Sequence, residues 1–352
     1  MKRVSLFVPG RVCLFGEHSD WAGGYRREDD SIEPGYCIAV GTNQGINAIA
    51  HDHHPSFIMR STLPDGTYLD SEIEMNEDAL RRAAKAGGFF SYAAGTAYYM
   101  ITEHKVSGGL IIDNVTNIPV RKGVSSSAAI CVLTTRAFNK VYELGLSVRD
   151  EMEMAYLGEI LTPSECGRMD QACAYGSGVP TFLTFDGDNM DVVTLSPDGE
   201  TNLVIVDLKK EKNTPKILRD LNTCYPTGWG QIGENVRWAL GQGNEYILRE
   251  ARVAIEGGNA EKVGSLMTEA QEQFDKYVIP ACSSELSAPE LHRVLKYEPI
   301  QELVWGGKGV GSQGDGTAQF VAKGKPEQEE VIKKLEELGK ECFVLDIKPQ
   351  SD

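Results

Sequence analysis

The run Gly123-Val124-Ser125-Ser126-Ser127-Ala128-Ala129 constrains this chain more than any other stretch, because small residues lead straight into a helix-forming segment. From Ala128 to Leu144 the composition favours a helix, apolar residues recur at helical spacing, and Gly145 supplies a stop. The first amides of such a helix have no main-chain partners, and a glycine- and serine-rich approach leaves them open to an anion, of which phosphate is the natural guest. Serine-rich N-termini also occur on helices that bind nothing, so the segment alone leaves both readings open.

The rest of the chain narrows the choice. With 352 residues, two lobes around a shared cleft are expected rather than one compact unit, and 41% hydrophobic residues suffice for their cores. A formal net charge of −16 disfavours nucleic acid and anionic membranes as partners, since both are bound through clustered Lys and Arg. Phosphate binding would then rest on backbone N–H groups, a helix N-terminus, a few local cations and a divalent metal. Eight cysteines without a C-x-x-C pair, and no leader-like stretch ahead of the strand-like Val4 to Val8, make a reducing cytoplasm the expected compartment. No apolar run reaches the roughly 18 residues that a membrane span needs.

Val4 to Val8 reads as a strand stopped by Pro9-Gly10, with Arg11 to Gly16 as a second short run, and Tyr36 to Val40 as a further strand. The charged stretch Tyr25 to Pro34 reads as a surface excursion. Phe89 to Glu103, Asn244 to Ile255 and Ala260 to Tyr277 read as helices, and Leu110 to Ile112, Val204 to Val206 and Thr317 to Ala322 as strands. Ser196-Pro197-Asp198-Gly199 is a turn between strand-like segments and places the expected domain boundary at 195/196, giving domains 1–195 and 196–352. His51-x-His53-His54 is accompanied by no convergent carboxylate or cysteine in the local sequence and reads as an exposed turn rather than a metal site.

The full loop Pro119-Val120-Arg121-Lys122-Gly123-Val124-Ser125-Ser126-Ser127-Ala128-Ala129 resembles the second motif of the GHMP kinases, P-x-G-x-G-L-S-S-S-A-A, with Arg121 in place of the first loop glycine. The family takes its name from galactokinase, homoserine kinase, mevalonate kinase and phosphomevalonate kinase. Pro9 to Trp21 resembles the galactokinase signature G-R-V-N-L-I-G-E-H-T-D-Y, with Cys13, Ser19 and Trp21 as departures. Cys166-Gly167-Arg168-Met169-Asp170-Gln171 resembles C-G-I-M-D-Q. Gly306 to Thr317 resembles the third motif as found in heptose and fucose kinases, G-A-K-x-S-G-A-G-G-G-G-F, with Gln313 and Asp315 replacing glycines. Phe90-Ser91-Tyr92-x-x-Gly95 and Ser287-Ala288-Pro289-Glu290-Leu291 extend the likeness along the chain.

The resemblance implies an α+β fold of two lobes, the N-terminal one like ribosomal protein S5 domain 2 and the C-terminal one ferredoxin-like, with ATP between them. It implies that Asp170 is the catalytic base and that Arg11 stabilises charge or restrains that carboxylate. Glu17, His18, Asp20 and Gly167 would hold the sugar. Arg121, Lys122, Gly123, Val124, Ser125, Ser126, Ser127 and Ala128 would cradle ATP. Ser127 and Glu159, the latter eleven positions before Asp170, would bind Mg²⁺, with Glu165 as the alternative carboxylate. Trp21 would offer an apolar face to a ring or merely pack. The implied reaction is transfer of the γ-phosphoryl to a sugar hydroxyl, the anomeric one by the first motif. A mevalonate-type alcohol kinase, and a sugar- and ATP-binding regulator without turnover, remain the alternatives.

Overall fold

The computed structural model describes residues 2–118, 125–164 and 166–349. The strands are β1 (Arg3–Phe15), β2 (Gly35–His53), β3 (Ser56–Thr62), β4 (Tyr68–Glu74), β5 (Gly109–Thr116), β6 (Pro180–Asp186), β7 (Asn189–Thr194), β8 (Thr201–Asp207), β9 (Val304–Gly309), β10 (Thr317–Ala322) and β11 (Glu341–Ile347). The helices of the first half are α1 (Ser19–Gly24), α2 (Glu77–Ala86), α3 (Ser91–Thr102), α4 (Ser126–Tyr142) and α5 (Val148–Ile160). Those of the second half are α6 (Thr214–Cys224), α7 (Gly230–Leu240), α8 (Gln242–Glu256), α9 (Ala260–Tyr277), α10 (Ser283–Leu286), α11 (Pro289–Leu295), α12 (Glu298–Gln301) and α13 (Lys325–Glu337). By contacts the chain forms two compact units, Met1–Arg11 with Gly41–Ser177, and Val12–Val40 with Gly178–Asp352.

In the first unit β5 pairs antiparallel with β2 and parallel with β3, and β4 closes the far side of β3. Helix α4 is buried on nearly every side, from Ala128 through Leu133 and on to Ala137, Phe138 and Val141, as its apolar composition requires. Helix α5 starts at a capping box: Asp150 N–H donates to Ser147 Oγ at 3.1 Å and Ser147 N–H to Asp150 Oδ2 at 2.9 Å. Further along, α5 meets α3 with almost no side chain between the backbones. A Cβ on Gly95 would stand 2.1 Å from Gly158 O, and one on Gly158 would stand 2.6 Å from Thr96 Cα. This close approach holds the last turn of α5, and with it Glu159, in the interior.

In the second unit the first part of β2 pairs antiparallel with β6, and β6 with β7. The strands β8, β9, β10 and β11 form a separate antiparallel sheet in the order β11-β8-β10-β9. Taken as strand, helices, strand, strand, helix, strand, with the fourth beside the first and the third between the first and the second, this is the ferredoxin-like arrangement. Val204, Val206, Phe320, Leu291, Val294, Val331 and Leu335 fill its core. The turn from Leu195 to Glu200 lies between β7 and β8, where the chain passes from one sheet to the next; the expected boundary at 195/196 falls there, inside the second compact unit and not at a division between units.

Three local expectations change. Strand β1 does not stop at Pro9-Gly10 but continues to Phe15; it pairs with β2, and a strand bonded along one side tolerates proline's missing N–H on the other. Strand β2 runs on from Val40 through Gly41 to His53, because Gly41 is a point of close approach, its absent Cβ falling 2.0 Å from Gly176 O, and not a break. His51 and His53 therefore sit half-buried on a strand end, and only His54 is exposed. Among the described residues no group of three or more His, Cys, Asp or Glu is placed to hold a metal, and no helix is long and apolar enough to cross a membrane. All eight cysteines are free thiols.

The α3–α5 contact yields a test. Gly158→Ala is expected to lower unfolding free energy by about 1–3 kcal/mol, the usual cost of overpacking a tight contact. Urea denaturation measures it, and an unchanged midpoint would show that α5 can retreat from α3 at no cost.

Candidate active site

The first unit contains Arg11, Asp170, Gly167, Glu159 and the Ser125–Ala128 turn, all singled out by sequence. Strand β1 ends its share of this unit at Arg11, whose Nη2 donates to Asp170 Oδ1 in an ion pair. The guanidinium side chain is 5% exposed and the carboxylate 23%, so the pair presents Asp170, and not Arg11, to solvent. Asp170 opens a short 3-10 helix, Asp170–Tyr175, and the next residue, Gln171, is fully buried. Gln171 Nε2 donates to Glu159 Oε2 at 2.8 Å and lies 3.9 Å from Cys166 Sγ. Gly167 is half-buried within the turn that leads to Asp170.

Glu159 is almost completely buried at the end of α5. Its pKa is pushed up to about 7, first by burial and then by the charge of Asp170, while the Ser127 and Gln171 side chains and Arg11 pull the other way. Ser127, in the first turn of α4, thus stands beside Glu159 as the sequence implied. Glu159 Oε1 is buried with no hydrogen-bond partner among the described residues, and so is Gln171 Oε1. Buried acceptor oxygens without donors, beside a serine hydroxyl, fit a small hard cation such as Mg²⁺, which would take its remaining ligands from phosphate and water. Ser125 enters α4 in the left-handed region, φ 54°, with no side-chain cap, followed by half-buried Ser126 and Ser127 and buried Ala128. Arg121, Lys122, Gly123, Val124 and the alternative carboxylate Glu165 lie outside the described residues. The Cys166 thiol is pushed far up by burial and by the Glu159 and Asp170 charges, so it stays protonated and unreactive at neutral pH.

The second unit holds the rest of the first motif. Gln319 on β10 donates from Nε2 to Cys13 O at 3.0 Å and Leu14 O at 3.2 Å, fastening the end of β1. Beyond it Glu17 forms an ion pair with Lys308 Nζ of β9. His18 accepts at Nδ1 from the Trp21 indole N–H at 3.1 Å, which puts the ring proton on Nε2, and stacks on Phe274 of α9 at 6.1 Å. Burial lowers its pKa to about 4, the Ser312 backbone opposing and the charges of Lys212 and Lys308 adding to the fall, so the imidazole is neutral at pH 7. Asp20 is half-buried and accepts the Trp21 backbone N–H at 3.0 Å through Oδ1. Trp21 packs: its ring meets Tyr225 edge-on at 5.7 Å and Tyr25 at 6.5 Å.

The third motif explains its two departures from glycine. Gln313 donates to Gly309 O at 3.2 Å, and Asp315 Oδ1 accepts the Leu291 N–H at 2.8 Å, tying the loop to the start of α11. Lys212 Nζ donates to Gln313 O at 2.9 Å and Val310 O at 3.3 Å, and the Thr214 and Ser312 hydroxyls meet at 3.1 Å. Sequence reasoning assigned no role to Lys308, Gln171, Lys212 or Phe274. For Lys308 and Gln171 the signal was present, since each stands inside a recognised motif; for Lys212 and Phe274 it was not, because only the fold brings them near.

A family model, GHMP kinases N terminal domain, matches residues 91–178. The galactokinase of Thermococcus kodakarensis is 24% identical over 303 residues, 79% of this chain and 80% of its own. The mevalonate kinase structure of Methanococcus jannaschii superposes with a TM-score of 0.71 at 18% identity, covering 99% of both chains. The Lactococcus lactis galactokinase complexed with galactose does so with a TM-score of 0.70 at 17% identity, covering 100% of this chain and 95% of its own. The fold is thus the α+β fold of small-molecule kinases that these structures share. The chain is thus similar to the GHMP kinases, and galactokinase-like in its motifs.

The raised pKa of Glu159 has a signed consequence. A carboxyl that holds its proton more tightly when folded stabilises the fold below its unfolded pKa near 4.5, and that contribution is lost as pH rises through about 7. Metal-free protein should therefore lose stability between pH 4.5 and 7 at this site, and Glu159→Gln should flatten that part of the profile. Thermal melts in EDTA across the range measure it; an equally steep loss in the variant would remove Glu159 as the cause.

Proposed function

We propose that the protein transfers the γ-phosphoryl group of MgATP to a hydroxyl of a small sugar, with the anomeric hydroxyl as acceptor and a sugar 1-phosphate as product. The observation that carries the reading is the Arg11–Asp170 pair: a carboxylate held at one oxygen by a buried guanidinium and exposed enough to meet a reactant. Asp170 would accept the proton of the attacking hydroxyl, and Arg11 would keep that carboxylate oriented as charge develops. Glu159 and Ser127 would hold Mg²⁺, with the Ser125 to Ala128 turn facing the phosphates. The bound metal would supply charge neutralisation of the transferring group. Glu17, His18 and Asp20 offer acceptors and a neutral imidazole donor, a set suited to reading several hydroxyls in direction.

A mevalonate-type alcohol acceptor is the second reading, favoured by the equal structural likeness to mevalonate kinase. Two carboxylates and a histidine in one motif weigh for a polyol. ADP release measured on a panel of sugars and on mevalonate separates the two, and sugar binding with ATP but no ADP release from any acceptor would establish a regulator instead.

Asp170→Asn is expected to retain the fold and nucleotide binding and to lose about 10²- to 10⁴-fold in turnover. Near wild-type turnover on the preferred acceptor would remove Asp170 as base. Asp20→Ala should weaken sugar binding and leave nucleotide affinity nearly unchanged, because the lost hydrogen bond lies on the sugar side alone; isothermal titration with each ligand reads the difference, and equal loss of both would count against the role.

A further inference from the structure

A circuit of hydrogen bonds runs round the glycine-rich loop between β9 and β10, and a histidine closes it. Gly309 N–H, at the end of β9, donates to Gln271 Oε1 of α9 at 2.7 Å, and Gln271 Nε2 donates to Asp275 Oδ1, one turn further along α9, at 2.7 Å. Asp275 Oδ2 lies 2.8 Å from His292 Nε2 of α11. The residue before the histidine, Leu291, gives its N–H to Asp315, at the other end of the loop. Both ends of residues 309–315 are therefore tied to one pair, Asp275 and His292. The second ring nitrogen, Nδ1, lies 2.8 Å from Ala288 O, so both nitrogens face acceptors. A neutral imidazole carries one N–H and would turn a lone pair on one of those oxygens; the imidazolium satisfies both.

From this geometry we infer that protonated His292 is a positioning residue for the glycine-rich loop: it clasps α11 to α9, fixing the loop at both ends, and its deprotonation releases the loop. The loop carries Ser312, whose backbone acts on the His18 ring, so the clasp reaches the acceptor site; that consequence rests on the sugar reading above, while the clasp itself does not. Two charges act on the His292 ring, Asp275 of α9 in favour of the proton and Lys296 of its own helix against it. Other charges nearby are engaged elsewhere: Glu290 of α11 by Arg293 and Lys340, Lys308 of β9 by Glu17 and Gly309 O, and Asp315 by the Leu291 N–H. Burial draws the His292 pKa down, but the Ala288 carbonyl and Asp275 outweigh it and hold it above the usual 6.5. A proton held more tightly in the folded state supports the clasp in full below pH 6.5, and that support is lost as pH rises through the higher value. His18, with a pKa of about 4, stays neutral throughout that range.

The test is hydrogen exchange of the loop amides, followed by mass spectrometry from about pH 6 to about pH 9 and corrected for the intrinsic pH dependence of exchange, on wild type, Asp275→Asn and His292→Phe. The wild-type loop should lose protection by about three- to tenfold as pH rises above the usual histidine range, since one charge-assisted link at a partly exposed site is lost. Asp275→Asn should move that step to lower pH, because the charge that holds the proton is gone while the shape of the side chain is kept. His292→Phe should exchange fast throughout, with no step. A wild-type loop without a step, or a step that Asp275→Asn leaves in place, would overturn the inference; Asp275→Asn alone decides it if His292→Phe is too unstable to measure. The KM for the preferred sugar should rise over the same pH range in wild type and be raised and flat in His292→Phe. A step in exchange with no change in that KM would overturn the loop's part in acceptor binding. Absence of turnover on every sugar would overturn the sugar reading, and the exchange data would still decide the clasp.

Discussion

Removing charge from water is the constraint that organises both units of this protein. An unpaired ion in the interior costs several kcal/mol, so each buried ionisable group needs a partner or must give up its charge. Arg11 takes Asp170, and Glu17 takes Lys308. Glu159 and His18 follow the other course: burial raises the first to about 7 and lowers the second to about 4, so both approach neutrality in the folded state. The residues that would carry the chemistry are thus those on which folding does the most electrostatic work, a usual mark of functional sites.

The contrast between paired and neutralised groups sets their possible roles. A carboxylate braced at one oxygen by a guanidinium is held in a fixed orientation, as the proposed base requires. A carboxyl that stays partly protonated until a cation arrives couples metal binding to proton release. Gln171, bonded to Glu159 and following Asp170 in the chain, links the two within one turn. The tautomer of His18, set by the Trp21 indole, leaves its one ring proton on Nε2.

Much of this was legible in the sequence because it lay in contiguous motifs. Helix α9 and strand β10 fall where periodicity placed them, Ala260–Tyr277 and Thr317–Ala322, since each has a clear period and abrupt flanks. The long strands β1 and β2 were read as broken, because proline and glycine signal turns locally while the sheet uses them for an unbonded edge and a close backbone approach. Arg11, Asp170, Glu159 and Ser127 are each singled out by the sequence, but which of them touch is a property of the fold. Lys308 shows the limit most clearly: its motif was recognised, yet a partner 291 positions away cannot be read from spacing.

The bracing of the third motif bears on when disorder is given up. A glycine-rich loop left to itself samples many backbone states, and a ligand docking on it must freeze them at the moment of contact. Here Lys212, Gln313, Asp315 and the Ser312–Thr214 hydroxyl pair tie the segment to α6, α11 and its own strand end. Its ordering is completed during folding and charged to the stability of the domain, so whatever meets the loop finds a rigid wall instead of a flexible flap.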